Sequence, residues 1–187
     1  MKNRGTIVLG MHRSGTSALA GVLAKAGVNF GNQLLEAADD NPKGFWENED
    51  VVAVHEQVLH ALGSCWDAIV PLEEDWAESA TLGVYQDELS SILEREFAHT
   101  IHWGLKEPRM CRLLPLWQKV FRNLGCDVSY LLIVRQPTEV VESLSVRNGT
   151  PAVRGYLSWL EHTLAAERNS RGHKRVWIRY QDLLSDW

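Results

Sequence analysis

Cysteine is scarce in this chain. Cys65, Cys111 and Cys126 lie far apart, with no CxxC spacing and no even count. That pattern argues against a disulfide framework and a cysteine-based zinc site, and reads as reduced thiols buried as small apolar residues. Positive charge is also short. Nineteen Lys and Arg against 24 Asp and Glu leave a net charge of −5. This argues against a nucleic-acid partner, and any anion site must be a local cluster of cations. No apolar run approaches the roughly 20 residues that span a bilayer. The start, MKNRG, has no apolar leader. The expected protein is soluble and cytoplasmic, without a membrane partner. Seven histidines show no ligand pairing on a helix face, so no metal is expected. What is present is ordinary globular composition, 45% hydrophobic and 23% charged, sufficient for one buried domain over residues 1–187.

Strands and helices alternate along the chain. Thr6–Leu9, Ile101–Leu105, Val128–Val134 and Val176–Ile178 are apolar or β-branched runs expected as strands. VSYLLIV at 128–134 is apolar enough to be buried on both faces. Helices are expected over Thr16–Ala26, Glu47–Leu62, Asp75–Phe97, Met110–Leu124, Thr138–Val146 and Val153–Arg168, with an irregular stretch from Val28 to Trp46. This order predicts an α/β fold: a three-layer α/β/α arrangement around a central parallel sheet, like a P-loop NTPase.

Ligands of open parallel sheets bind beyond the carboxyl ends of the strands. Here each strand end carries a cation: Arg13, then Lys106 and Arg109, then Arg135, then Arg179. A Lys or Arg at one strand end can simply reach for water. Four out of four point instead to an anion site with more than one anionic group.

The first of these segments, GMHRSGTS at residues 10–17, follows a strand and precedes a helix. It has the outer glycines of GxxxxGK[ST], but Thr16 stands where that loop needs lysine. Gly10 and Gly15 permit the turns, and the N–H groups of Ser14, Gly15, Thr16 and Ser17 would face an anion at the helix start. A nucleotide hydrolase also needs an acid ending a neighbouring strand, and LLIVRQ supplies an arginine there. The loop suits an anion other than a magnesium-bound triphosphate.

GMHRSGTS together with IVRQPTEVVESL resembles the sulfotransferases that use 3′-phosphoadenosine 5′-phosphosulfate (PAPS). The resemblance implies that Arg13, Ser14, Gly15, Thr16 and Ser17 bind the 5′-phosphosulfate end of the donor. It implies that Arg135 and Ser143, eight residues apart, bind the 3′-phosphate, and that Tyr180 of RYQDLL lies near the adenine. NPKGFWEN at 41–48 is similar to a bacterial branch of the family. The resemblance spans residues 6–184. It departs at the end: many members carry a late G-x-x-G-x-x-K loop, and the sequence stops at Trp187 without it, so a truncated or short version of the domain is expected.

The implied reaction is in-line transfer of a sulfuryl group to a hydroxyl or amine of a small molecule or glycan, with no metal. Arg13 and Lys106 are the candidates for stabilising the leaving group. The family's histidine after the second strand is missing, since Lys106 is followed by Glu107, Pro108 and Arg109. Glu47 is the favoured base, with Glu49, Asp39, Asp40 and His55 as rivals. Trp46 and Arg109 are the candidates for holding the acceptor, and Trp66 is a further aromatic flanking the irregular segment. Two other readings stay open: a P-loop nucleotide or small-molecule kinase, and a non-catalytic nucleotide-binding module.

Overall fold

The computed structural model describes residues 4–38 and 41–185. Four parallel strands form one sheet in the order β2-β1-β3-β4: β1 Arg4–Leu9, β2 His102–Lys106, β3 Asp127–Val134 and β4 Arg175–Arg179. β1 is central, with Ile7 opposite Leu105 on one side and Tyr130 on the other. The chain passes from β2 across β1 to β3, so the strand order reverses there. A crevice for ligands opens at such a reversal, beyond the strand ends.

Among the described residues seven α-helices cover the sheet: α1 Thr16–Lys25, α2 Glu49–Ala61, α3 Gly83–Phe97, α4 Met110–Asn123, α5 Pro137–Asn148, α6 Ala152–Asn169 and α7 Tyr180–Ser185. Alternation along the strands assigns the faces. Ile7 and Leu9 of β1 and Tyr130 and Leu132 of β3 join the main core with Trp117, Val120 and Phe121 of α4. Val8 and Ile133 face the other way, onto Leu19 of α1 and Leu183 of α7. The result is the expected three-layer α/β/α arrangement, with the heavier helical layer on the α4 side.

Several element boundaries differ from the sequence pattern. Asp75–Phe97 is not one helix, because Asp75 is left-handed (φ +60°) and Ser79 is extended. Two short 3₁₀ turns, Trp76–Glu78 and Ala80–Leu82, precede α3. α2 begins at Glu49, with Asn48 as its N-cap accepting from the Val51 N–H at 3.1 Å, so Glu47 lies outside the helix. α5 starts one residue early, at Pro137, whose fixed φ suits the first helical position. No helix among the described residues is long and apolar enough to cross a membrane.

Candidate active site

The loop between β1 and α1 is shaped by two left-handed residues, Arg13 (φ +67°) and Gly15 (φ +91°), on either side of Ser14. The Ser14 N–H donates to the Met11 carbonyl at 3.1 Å, closing the turn. Gly15 is the N-cap of α1 and offers no side chain to its first-turn N–H groups. Those groups therefore stand without a side-chain cap at the positive end of the helix. The Ser14 hydroxyl is buried without a partner. Each of these features fits an anion of phosphate or sulfate type.

Two glycines of the loop are required by contact. A Cβ on Gly10 would lie 2.8 Å from the Ile133 carbonyl oxygen, and the Gly10 N–H donates to the buried Cys111 sulfur at 3.1 Å. Burial pushes the Cys111 thiol up to about 12, so it stays protonated and serves as an acceptor in the core. A Cβ on Gly15 would lie 2.1 Å from the Tyr180 ring.

The end of β3 meets this loop. Arg13 Nε donates to the Ser143 hydroxyl of α5 at 2.8 Å. Arg135 donates to the Arg13 carbonyl at 3.2 Å, pairs with Glu139 at 2.6 Å and lies over the Tyr180 ring, 4.8 Å from its centroid. Arg13 and Ser143, 130 positions apart in sequence, thus meet with Arg135 and Tyr180 in one cationic corner around the loop. Arg179, the fourth strand-end cation, is not part of it. It is exposed and pairs with Asp182 at 2.8 Å on the surface.

Lys106, the last residue of β2, is buried on the other flank. Its ammonium donates to Ser17 Oγ at 3.3 Å, to the Phe45 carbonyl at 3.1 Å and to the Glu47 carboxylate. Burial pushes the Glu47 carboxyl up from its ordinary value, against the pull of Lys106. The sequence pattern favours Glu47 as a base; in the structure its carboxylate is committed to Lys106.

Beneath this pair runs a buried polar chain. Trp117 Nε1 donates to His55 Nε2 at 2.7 Å, which leaves the Nδ1 proton of His55 for Glu107. Glu107 also takes Arg109 Nη1 at 2.5 Å, and Arg109 Nη2 reaches Glu56 at 2.5 Å. Both nitrogens of His55 are occupied and its ring is fully buried, so it is not placed to act as a base. Glu49 is exposed in the first turn of α2. Asp39 and Asp40 lie outside the described residues.

Burial by itself would raise the Glu107 carboxyl; the contacts with His55 and Arg109 outweigh it and hold the group well below the carboxylate range. Its stabilising contribution is therefore complete above the unfolded-chain pKa of about 4.3. That contribution is lost as pH falls toward the lower folded value. Glu107→Gln should flatten the acid limb of the stability profile, measured by urea melts at a series of pH values. Parallel wild-type and variant profiles would contradict the assignment.

Two cavities flank the loop. A groove of about 760 Å³ is lined by Ser17, Gly21, Asn41, Trp46, Tyr180 and Leu184, among others. A smaller pocket of about 220 Å³ is lined by His12, Glu47, Trp66, Arg109, Arg147 and Asn148, with Leu35, Phe45 and Val52 as its apolar wall. Trp46 and Arg109, paired by the sequence pattern on the acceptor side, therefore line different cavities. Trp46 is left-handed (φ +60°), and its ring packs on Gly21 and edge-on to Phe30. It belongs with Ser17 and Tyr180. Trp66 occupies the smaller pocket instead. The 64–70 segment that carries it is tied down by Arg112, which donates to the Cys65 and Val70 carbonyls at 2.8 and 3.1 Å. His12 lines the smaller pocket, and sequence reasoning passed over it. As a loop residue next to Arg13, nothing in the local pattern marked it.

Among the described residues, no group of three or more His, Cys, Asp or Glu side chains is placed to hold a metal ion. No protein-family model and no curated protein matches the chain. Among solved structures, the sulfotransferase domain from the Synechococcus PCC 7002 olefin synthase superposes with a TM-score of 0.59 at 18% identity. The alignment covers 100% of this chain and 70% of that one. The fold is sulfotransferase-like. At that identity the similarity concerns the arrangement of the chain, and the chemistry has to be argued from the side chains.

Proposed function

We propose that this chain transfers a sulfuryl group from PAPS to a hydroxyl or amine of a small molecule or glycan. The observation that carries the reading is the meeting of the two anion-binding segments. The strand-1 loop, with its uncapped helix start, is joined through Arg13 and Ser143 to the segment after β3, with Arg135 over Tyr180. A single phosphate would need only the loop. The second cationic corner suits a ligand with two separated anionic groups and an aromatic ring, which is the chemistry of PAPS.

In this reading the backbone N–H groups of residues 15–17, with the Ser14 hydroxyl, hold the 5′-phosphate. Arg135 and Ser143 hold the 3′-phosphate, and Tyr180 with Trp46 forms the wall for the adenine along the larger groove. PAPS supplies an activated sulfuryl group on an anhydride-like bond. Arg13 and Lys106 stand where charge accumulates as that bond breaks, and positioned cations there lower the barrier. Sulfuryl carries less charge than phosphoryl, so these side chains suffice without a metal ion. Glu47 and the Phe45 carbonyl hold the Lys106 ammonium in place, and a pre-positioned charge need not reorganise during reaction. Arg109, with its Nε buried and without a partner, braces the acceptor pocket.

Calorimetry with 3′,5′-bisphosphoadenosine and transfer of radiolabelled sulfate from PAPS across acceptor classes test the proposal. Arg135→Ala should weaken bisphosphoadenosine binding by about 1.5–3 kcal/mol, the value of a hydrogen bond to a charged group. An unchanged dissociation constant would remove Arg135 from the donor site. Turnover of ATP with magnesium would replace the reading by a kinase.

A further inference from the structure

His12 lines the smaller pocket together with Glu47 and Arg109. Its ring stands edge-on to Trp66, with centroids 4.9 Å apart, and 6.1 Å from the ring of His162. Its Nε2 is buried with no hydrogen-bond partner. A buried polar atom left unpaired costs stability, and a ligand hydroxyl arriving in the pocket would remove that cost. The backbone places His12 beside Arg13, on the same rigid loop as the anion cradle.

The alternatives around the pocket are engaged or do not face it. Glu47 is committed to Lys106, and His55 is closed between Trp117 and Glu107. His162 also has an unpartnered buried Nε2, but its ring is fully buried on α6 and does not line the pocket, and its Nδ1 is turned to the Ser158 carbonyl at 2.9 Å.

We propose that His12 is the proton acceptor for the incoming hydroxyl. This assignment rests on the sulfuryl-transfer reading. The acceptor oxygen forms its bond to sulfur as the bond from sulfur to the bridging oxygen breaks. That oxygen leaves on the 5′-phosphate with the electron pair. The hydroxyl proton passes to the free lone pair of the His12 imidazole, and the imidazolium later releases it to solvent.

The electrostatics of the pocket agree. Burial, and after it the charge of Arg109, push His12 well below the ordinary histidine value; His162 and Lys106 push the same way and Glu107 opposes them. Glu47 and Arg147 are the other charged groups lining the pocket, and Glu56 lies behind Arg109. The ring is therefore neutral near pH 7, with a lone pair to offer. Anionic groups bound in the adjacent cradle favour the imidazolium and make the ring a stronger base once the donor is in place.

The test compares wild type, His12→Gln and Glu47→Gln in three measurements. These are calorimetric affinity for bisphosphoadenosine, sulfuryl transfer from PAPS to phenol and to water, and the NMR titration of His12 with and without bisphosphoadenosine. His12→Gln should slow transfer by roughly 10²–10⁴-fold, the usual worth of a positioned base, with bisphosphoadenosine affinity unchanged within about twofold. The wild-type His12 resonance should titrate at higher pH when bisphosphoadenosine is bound. Transfer at the wild-type rate in His12→Gln overturns the assignment and leaves the sulfotransferase reading intact. So does a His12 titration that bisphosphoadenosine does not move, a result that needs no variant to fold. Wild type that fails to bind bisphosphoadenosine, or that binds it and releases no sulfate from PAPS, overturns the reading and the role of His12 together.

Discussion

Glu47→Ala is expected to destabilise the fold by about 3–5 kcal/mol, the cost of leaving a buried charge without its partner. The side chains of Lys106 and Glu47 are only 3% and 8% exposed. Removing the carboxylate strands the ammonium against Ser17 Oγ and the Phe45 carbonyl, which supply dipoles and no countercharge. A surface pair would show almost nothing, since exposed ion pairs contribute little. Chemical denaturation checks the magnitude. The double change Glu47→Leu with Lys106→Met separates structure from chemistry. Replacing both charges by apolar groups of similar volume is often neutral or stabilising, so stability should recover. Sulfuryl transfer should not recover, because the cation is gone. A Glu47→Ala protein as stable as wild type would mean that the pair is open to water in solution.

Gly15→Ala is expected to abolish donor binding, with an affinity loss of at least about 100-fold, or roughly 2.7 kcal/mol. Two independent causes act at this position. The left-handed backbone costs an L-residue about 1–2 kcal/mol. The new methyl would also lie 2.1 Å from the Tyr180 ring, which packs directly on the loop. Something must move, and the cheapest movement carries Tyr180 away from Arg135 and opens the cationic corner. Calorimetry with bisphosphoadenosine reads the loss. In a Tyr180→Ala background the steric part disappears, so the added effect of Gly15→Ala should shrink to the backbone cost. Equal effects in both backgrounds would show that the ring contact is not what the glycine serves.

The architecture was largely legible in the sequence, because it rests on local periodicity. VSYLLIV at 128–134 became an inner strand, β3, between β1 and β4, with Tyr130, Leu132 and Ile133 buried and the remaining residues half-buried, so the expected burial on both faces holds only in part. The boundaries were read less well where single residues take left-handed backbone conformations. Asp75 and Trp46 do so without being glycine, and no composition rule marks them. Asn48 as the cap of α2 moved Glu47 out of the helix, where its carboxylate could turn inward to Lys106.

The resemblance of GMHRSGTS and IVRQPTEVVESL to the PAPS-dependent sulfotransferases already paired two segments in order: a Gly-flanked loop after the first strand, and Arg135 with Ser143 after the third. Both are short-range patterns of backbone freedom and charge, and these survive in a one-dimensional reading. Only the tertiary structure decided which side chains share a cavity. It separated Trp46 from Arg109, sent Arg179 to the surface with Asp182, closed His55 between Trp117 and Glu107, and brought His12 to the pocket wall beside Glu47. The physical reason is that burial and pairing depend on partners distant in sequence, 130 positions away in the case of Arg13 and Ser143. The chain's local pattern specifies that a cation or an imidazole is present at a loop; which charge it meets, and whether water reaches it, is set by the packing of the helices around the sheet.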